Sequence, residues 1–503
     1  MRALGVELKP QRTAFPSLIV IAMTGGDLRP PAPDTLRRRG RRRYMIMALE
    51  PTDRTMPSPH DATLDLLSGL IAKARRAGAD AADAVLFDTT SISISHRLGQ
   101  IEHVERSESG DLGLRVFIGR RMAIVSSSDR RQAALDEIVE RAVAMARVVP
   151  EDPYCGIADP SELATVLPEL DLVDPAEPST ETLSDRARAA EEAALAVAGV
   201  TNSEGASAGF GRSMAAMVAS NGFSRVTGST GSSISVSAIA GQGTGMETDY
   251  DHTSAVHAED LDTPEAVGRS AGERAVARLG ARKASTARVP VVFDPRASRS
   301  LLGHLLGAIN GAAIARGTSF LKEKMGEAVF APGIAVIDDP HIRRGLRSRP
   351  CDAEGVASTR RALIEDGRLT TWLLDLRSAR QLGLAPTGHA VRGTSGPPGA
   401  SPANLYLAPG AVTPAELMAD IQDGLYVTGL MGSSVNGVTG DYSRGAHGFW
   451  IERGRLAYPV NEVTIAGNLK DMYRALVPAD DLVLRYGMDA PTVRIDGMTV
   501  AGR

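Results

Sequence analysis

The sequence predicts a multi-domain α+β protein: an N-terminal α/β sandwich-like unit with an antiparallel meander, followed by a β-rich C-terminal domain. Three observations lead there. Apolar residues recur at helical spacing in a few well-separated stretches, and β-branched runs follow one another with no helix between them. In addition, 51 glycines and only 4% aromatics among 503 residues imply many tight turns around a core of Ala, Val, Leu and Ile. A chain of this length is expected to hold about three domains and to need no disulfide staples.

Residues 1–60 differ from the rest. They carry eleven Lys/Arg against five Asp/Glu, so this segment is +6 while the remainder is −10. Pro30, Pro31 and Pro33 precede the run Arg37, Arg38, Arg39, Arg41, Arg42 and Arg43, and no apolar period accompanies them. The segment reads as a disordered extension, with a nucleic-acid arm as the competing reading. Met45 and Met47 are alternative starts, which would leave it untranslated. The apolar run 15–23 falls short of the about 20 residues a membrane span needs. Its positive charges follow rather than precede it, against a secretory signal. A cytoplasmic protein without membrane contact is expected.

The first domain is expected over 61–150. Leu64, Leu67, Leu70, Ile71 and Ala74 lie on one helical face between a capping Asp61 and Gly78. Five short strands, 84–88, 91–96, 100–107, 113–118 and 121–125, form the meander. Asp129 then caps a helix to about Val148, and Pro150, Pro153 and Pro160 mark a linker. The middle domain, 151–286, combines helices over 179–200 and 264–281 with long strands within 207–248. The C-terminal domain, 287–503, opens with a buried-type strand over 289–293 that runs into Asp294 and Pro295. A helix continues to about Ala315, and beyond it short strands broken by Gly and Pro surround one helix near 414–422.

Several chemistries are disfavoured by what the chain contains. A net charge of −4 gives no global attraction for nucleic acid. Cys155 and Cys351 are too few and too far apart for a thiolate cage or disulfide framework, which fits a reducing compartment. None of the nine histidines lies three or four residues from another, so no helix presents a paired-imidazole zinc motif. His252 and His257, among Asp249, Asp251, Glu259 and Asp260, read as part of a solvated loop. No Gly-x-Ser-x-Gly elbow occurs, and Gly437-Val-Thr-Gly-Asp441 lacks the Lys of a phosphate loop. One stretch is unusual in its own right: Asn436-Gly-Val-Thr-Gly-Asp-Tyr-Ser-Arg-Gly-Ala-His-Gly448 packs four glycines among polar residues. Such a loop could grip an extended peptide through its backbone, or be a plain surface hairpin. Asn436, Thr439, Asp441, Arg444 and His447 are its candidate peptide- or partner-binding residues.

Directly downstream, Tyr458-Pro-Val-Asn-Glu-Val-Thr-Ile-Ala-Gly-Asn-Leu-Lys-Asp-Met472 resembles the signature of the TldD/PmbA family, in its PmbA (TldE) branch. Further blocks agree in family order: Ser107-Glu-Ser-Gly-Asp-Leu-Gly-Leu-Arg-Val116, residues 285–295, Arg316-Gly-Thr-Ser-Phe-Leu321, Asp352-Ala-Glu-Gly-Val356 and residues 401–410. The resemblance implies one subunit of a cytoplasmic heterodimeric zinc peptidase that degrades unfolded peptides. Some family members are labelled modulators of DNA gyrase. In the TldD branch the helix after the Asp-Pro strand carries His-Glu-x-x-x-His, with a Cys near the C-terminus as a further ligand. The aligned positions here are Arg299, Ser300 and His304, and residues 484–497 contain no Cys. The resemblance therefore implies no catalytic residue and no metal in this chain, with zinc held by a TldD-type partner. The alternative is a stand-alone protein that binds peptide or gyrase without peptidase activity.

Overall fold

In the computed structural model, residues 59–502 are described. The extension expected over 1–60 lies outside the described residues, apart from Pro59 and His60. Helix α1 (Pro59–Arg76) leads into three long strands, β1 (Ala81–Arg97), β2 (Gln100–Ile118) and β3 (Arg121–Ser127), then α2 (Gln132–Val148). After an irregular stretch come α3 (Thr180–Leu195), β4 (Val200–Ala219), β5 (Ser224–Ala240), β6 (Glu247–Ala255) and α4 (Pro264–Ala277). These six strands form one sheet in the order β3-β2-β1-β4-β5-β6, so residues 61–150 and 151–286 share a single sheet.

The five short strands expected for the meander are therefore three. The polar positions read as breaks are paired: Thr89 lies opposite both Ser109 and Ser213, and Thr90 opposite Glu108. Pairing with β4, distant in sequence, carries β1 through a stretch that has no apolar alternation of its own. Helix α2 begins after Arg131 rather than at Asp129, whose carboxylate accepts the Arg131 backbone N–H.

Period-two alternation assigns the two faces of this sheet. Ala82, Ala84, Leu86 and Ile94 of β1, with Ala206, Ala208, Phe210, Ala216 and Val218 of β4, pack beneath the apolar stripes of all four helices. The opposite face carries Asp83, Val85 and Phe87 on β1 and Arg115 on β2, and it meets the C-terminal domain. Arg115 donates twice to Asp83, at 2.6 and 2.9 Å, and reaches Glu354 at 3.5 Å. Arg392 closes on Asp83 from the far side. Gly113 is required here, because a Cβ would sit 2.2 Å from the Thr394 carbonyl oxygen.

The C-terminal domain starts with β7 (Ala287–Phe293), α5 (Pro295–Ile309) and α6 (Gly311–Ala315). The single helix expected to about residue 315 is broken at Asn310, whose extended backbone (ψ 125°) ends one helix while its side chain caps the next. Small elements follow: β8 (Val336–Asp339), β9 (Arg361–Glu365), β10 (Arg368–Leu369), α7 (Leu376–Leu382), β11 (Ala390–Val391), β12 (Gly399–Ala400), β13 (Asn404–Leu407) and α8 (Pro414–Met418). The chain ends in β14 (Asp423–Val435), β15 (Asp441–Glu452), β16 (Arg455–Asn468), α9 (Leu469–Arg474), β17 (Leu476–Pro478), β18 (Met488–Asp489) and β19 (Val493–Ala501). Strands β14 to β16 are long, not short as expected. Together with β7 and β19 they close a ring, because β16 pairs with β19 as well as with β15. Helix α5 lays Leu301, Leu302 and Leu305 into the core of this domain.

Candidate functional site

Strand β7 delivers the chain to Asp294, whose carboxylate accepts the Arg296 N–H at 3.0 Å, and Pro295 occupies the first turn of α5. This start fixes where α5 presents Arg299, Ser300 and His304. The Arg299 guanidinium lies 5.4 Å from the centroid of the Tyr486 ring. The Ser300 hydroxyl donates to the Ala297 carbonyl at 2.7 Å. His304 stands edge-on to Tyr442, with ring centroids 5.7 Å apart. Its Nε2 and the Tyr442 hydroxyl are both buried without a hydrogen-bond partner. Burial, reinforced by Arg444, holds the His304 imidazole below its usual range, so it is neutral near pH 7.

Of the two readings open for 436–448, the structure shows the hairpin: a tight turn at 436–440, then strand β15 from Asp441. The cause is pairing on both sides, with β14 and with β16. Asn436, Thr439 and Asp441 spend their side chains on the turn. Asn436 Oδ1 accepts from the N–H of Val438 and of Thr439, at 2.9 and 3.2 Å. Thr439 donates its hydroxyl to Asp441 at 2.6 Å, and Asn468 donates its amide to Asp441 at 3.0 Å. Those two bonds hold the Asp441 carboxyl below the usual carboxylate range. Gly440, at φ +87°, supplies the left-handed residue that the turn needs.

Arg444 and His447 belong elsewhere. With Ser300 they line a cavity of about 340 Å³, together with Asp249, Arg278 and Arg296. Arg444 gives its Nε–H to the Gly432 carbonyl at 2.8 Å. His447 is packed into β15 opposite Gly429, where a Cβ would come within 2.3 Å of the imidazole ring. Burial, aided by Arg278 and Arg296, pushes the His447 imidazole down to about 4, so it too is neutral. The structure thus brings together Ser300, Arg444 and His447. It leaves Asn436, Thr439 and Asp441 at the turn, Arg299 against Tyr486, and His304 against Tyr442.

Arg278 and Arg296 escaped the sequence reading, and Asp249 was read only as part of a solvated loop. Asp249 accepts from Arg296 at 3.0 Å and lies 3.6 Å from Arg278, which also pairs with Glu247 at 2.8 Å. The acidic stretch around His252 and His257, expected to be a solvated loop, is largely strand β6. His252 stacks on Tyr486 with centroids 4.6 Å apart, while the buried His257 contacts the Asp171 carbonyl at 3.1 Å. Alternation of Asp249 and Asp251 was the one available signal, and it favours a strand.

The site is a polar cleft with three guanidiniums, one paired carboxylate, a neutral imidazole and the β14 backbone at 428–430. Such a lining suits carbonyl and carboxylate groups. The residues at the degenerate motif do not fit a zinc ion: one imidazole faces a phenol and a cation. Among the described residues no three His, Cys, Asp or Glu side chains converge as a metal-holding group. No described helix is long and apolar enough to cross a membrane.

Comparison with known proteins places the chain. Residues 82–146, 173–279 and 286–502 match the PmbA/TldA metallopeptidase domain 1, central domain and C-terminal domain. Over 428 residues, 84% of this chain and 93% of the relative, it is 40% identical to Metalloprotease PmbA of Escherichia coli O157:H7. It is 36% identical over 434 residues to the Metalloprotease PmbA homolog of Haemophilus influenzae, covering 85% of this chain and 94% of that one. A crystal structure of a candidate modulator of DNA gyrase from Bacteroides thetaiotaomicron superimposes with a TM-score of 0.81 at 28% identity, over 88% of this chain and 99% of that one. TldE from Thermococcus kodakarensis has the same fold, with a TM-score of 0.78 at 20% identity over 87% and 100% of the two chains.

Proposed function

The chain belongs to the PmbA/TldD metallopeptidase family, and from that premise we propose that it is the TldE-type subunit of a heterodimeric zinc peptidase acting on unfolded peptides in the cytoplasm. Zinc and the general base reside in a TldD-type partner. This subunit supplies a dimerisation surface and a wall of the peptide-holding cavity. One observation carries the reading. Arg299, a permanent cation, is engaged with an aromatic ring, and Ser300 is bonded back into its own helix. Neither is a metal ligand or a base, and among the described residues His304 has no carboxylate or second imidazole beside it.

Peptide contact is assigned to the cleft around Arg444 and His447. Arg444 retains guanidinium N–H groups for a peptide carboxylate or carbonyl, and the adjoining β14 backbone offers hydrogen bonds independent of peptide sequence. The experiment is co-purification with a TldD-type chain, followed by zinc analysis and a peptidase assay of the pair and of each chain alone. The purified single chain is expected to hold well under one zinc per molecule and to cleave nothing, while the pair is active. Stoichiometric zinc with peptidase activity in this chain alone would overturn the reading. The name of the Bacteroides relative favours a second role, stoichiometric binding of gyrase. That role gains support if gyrase is retained by the chain and no TldD-type partner is.

A further inference from the structure

The sheet face left free by the helices meets the C-terminal domain around a cavity of about 310 Å³. Its walls are mostly apolar, built from Val85 and Phe87 of β1, Ala215 and Met217 of β4, Phe223 and Pro350. Against these walls stand three arginines, Arg225, Arg349 and Arg392. The Arg392 side chain is 0% exposed, and one of its terminal nitrogens is bonded to Asp83. Its Nε and Nη2 are buried with no acceptor. Arg349 donates to the Ser401 carbonyl at 2.6 Å and likewise leaves Nε without an acceptor. Among the described residues Arg225 reaches only the Cys351 sulfur, at 3.7 Å.

Most of the nearby carboxylates are committed; Asp338, whose charge acts on Arg349, meets His389 through one oxygen at 3.2 Å and leaves the other without a partner among the described residues. Asp83 serves Arg115 and Arg392, and Glu354 serves Arg115 and the Leu376 N–H. Asp352 accepts from the backbone N–H of Glu354, Val356 and Ala390. Among the described residues, Arg225 and Arg349 are thus left with guanidinium donors unpaired in a largely desolvated setting. Burying such donors costs free energy with no return unless an acceptor reaches them.

We propose that this cavity is a binding site for a small organic carboxylate with an apolar body, about the size of an acylated leucine. The carboxylate takes the guanidinium N–H groups of Arg225 and Arg349, and the apolar body lies against Val85, Phe87 and Met217. The exposed lining residues Gly228 and Val391 mark the entrance. An inorganic anion would leave the walls empty, and a neutral molecule would leave the donors unpaired. The site is separate from the Arg444 cleft, so the inference does not rest on the peptidase reading.

Isothermal titration of the full chain with N-acetylleucine, N-acetylleucinamide and inorganic phosphate tests it. The acid is expected to bind with a millimolar or lower Kd, and the amide and phosphate at least about tenfold more weakly. Bound acid should also slow alkylation of Cys351. Ala215→Leu fills the cavity without touching a charge and should lower the acid's affinity at least about tenfold. Should that variant not fold, Arg225→Met removes a cation that makes no ion pair among the described residues and should weaken binding in the same way. Equal binding of acid and amide, equal binding of acid and phosphate, unchanged affinity in a folded variant, or no heat from the acid at about 10 mM would each overturn the proposal.

Discussion

Replacing Glu354 by glutamine should relieve a penalty that the wild-type chain carries above neutrality. Glu354 is 4% exposed; one carboxylate oxygen accepts the Leu376 N–H at 2.9 Å and the other faces Arg115 at 3.5 Å. Burial is the largest influence and pushes its carboxyl from the ordinary 4.5 up to about 7, with Arg115 offsetting only part of the rise. A folded-state value above the unfolded one means that the native state holds the proton longer. The stability so contributed is complete below about pH 4.5 and is lost as pH rises through 7. The gap from 4.5 to about 7 corresponds to about 3 kcal/mol, most of it falling between about pH 5 and 8. Glutamine keeps an acceptor for Leu376 but turns an amide toward Arg115, costing about 1 kcal/mol at every pH. The variant should therefore be the weaker protein near pH 5 and the stronger one near pH 8, the difference moving by about 2 kcal/mol. Urea unfolding across that range, followed through the buried Trp372 and Trp450, measures it. Wild-type and variant stabilities that run parallel with pH would refute the reasoning, showing that Arg115 keeps Glu354 ionised throughout.

Gly429→Ala drives a methyl into the His447 ring, and should cost about 1–3 kcal/mol in a melting or urea experiment. Asp441→Ala removes the acceptor of both Thr439 and Asn468 at the hairpin tip; a loss of about 1 kcal/mol in urea unfolding is expected, with peptide turnover of the reconstituted pair nearly unchanged. Arg444→Ala should behave in the opposite way. Its stability in the same measurement should stay within about 0.5 kcal/mol of wild type, while turnover by the pair falls and Arg444→Lys restores only part of it, because an ammonium cannot form a bidentate pair.

Helix periodicity was enough to locate α1, α3, α4 and α5, since an amphipathic helix writes its buried face into the local sequence, although α1 starts at Pro59 and holds the expected cap Asp61 inside its first turn. The turn chemistry of Asn436 and Gly440 is equally local, yet the sequence offered Asn436 as a peptide- or partner-binding residue. The resemblance to the TldD/PmbA family, carried by residues 458–472, named the degenerate positions Arg299, Ser300 and His304. What the sequence left undetermined depends on partners remote along the chain. Thr89, Thr90 and Ser109 extend β1 and β2 only because β4 lies alongside. Nothing near Arg115 marks it as buried, and Arg392 meets Asp83 from 309 positions away. Asp249, Arg278, Ser300, Arg444 and His447 come from β6, the end of α4, α5 and β15, and the cleft they line exists only once the sheet and the closed ring of strands have packed together. Periodicity reports which face of an element is apolar; which charges that face gathers from elsewhere is decided by tertiary packing, because the pairing energy depends on distance in space and not on separation in sequence.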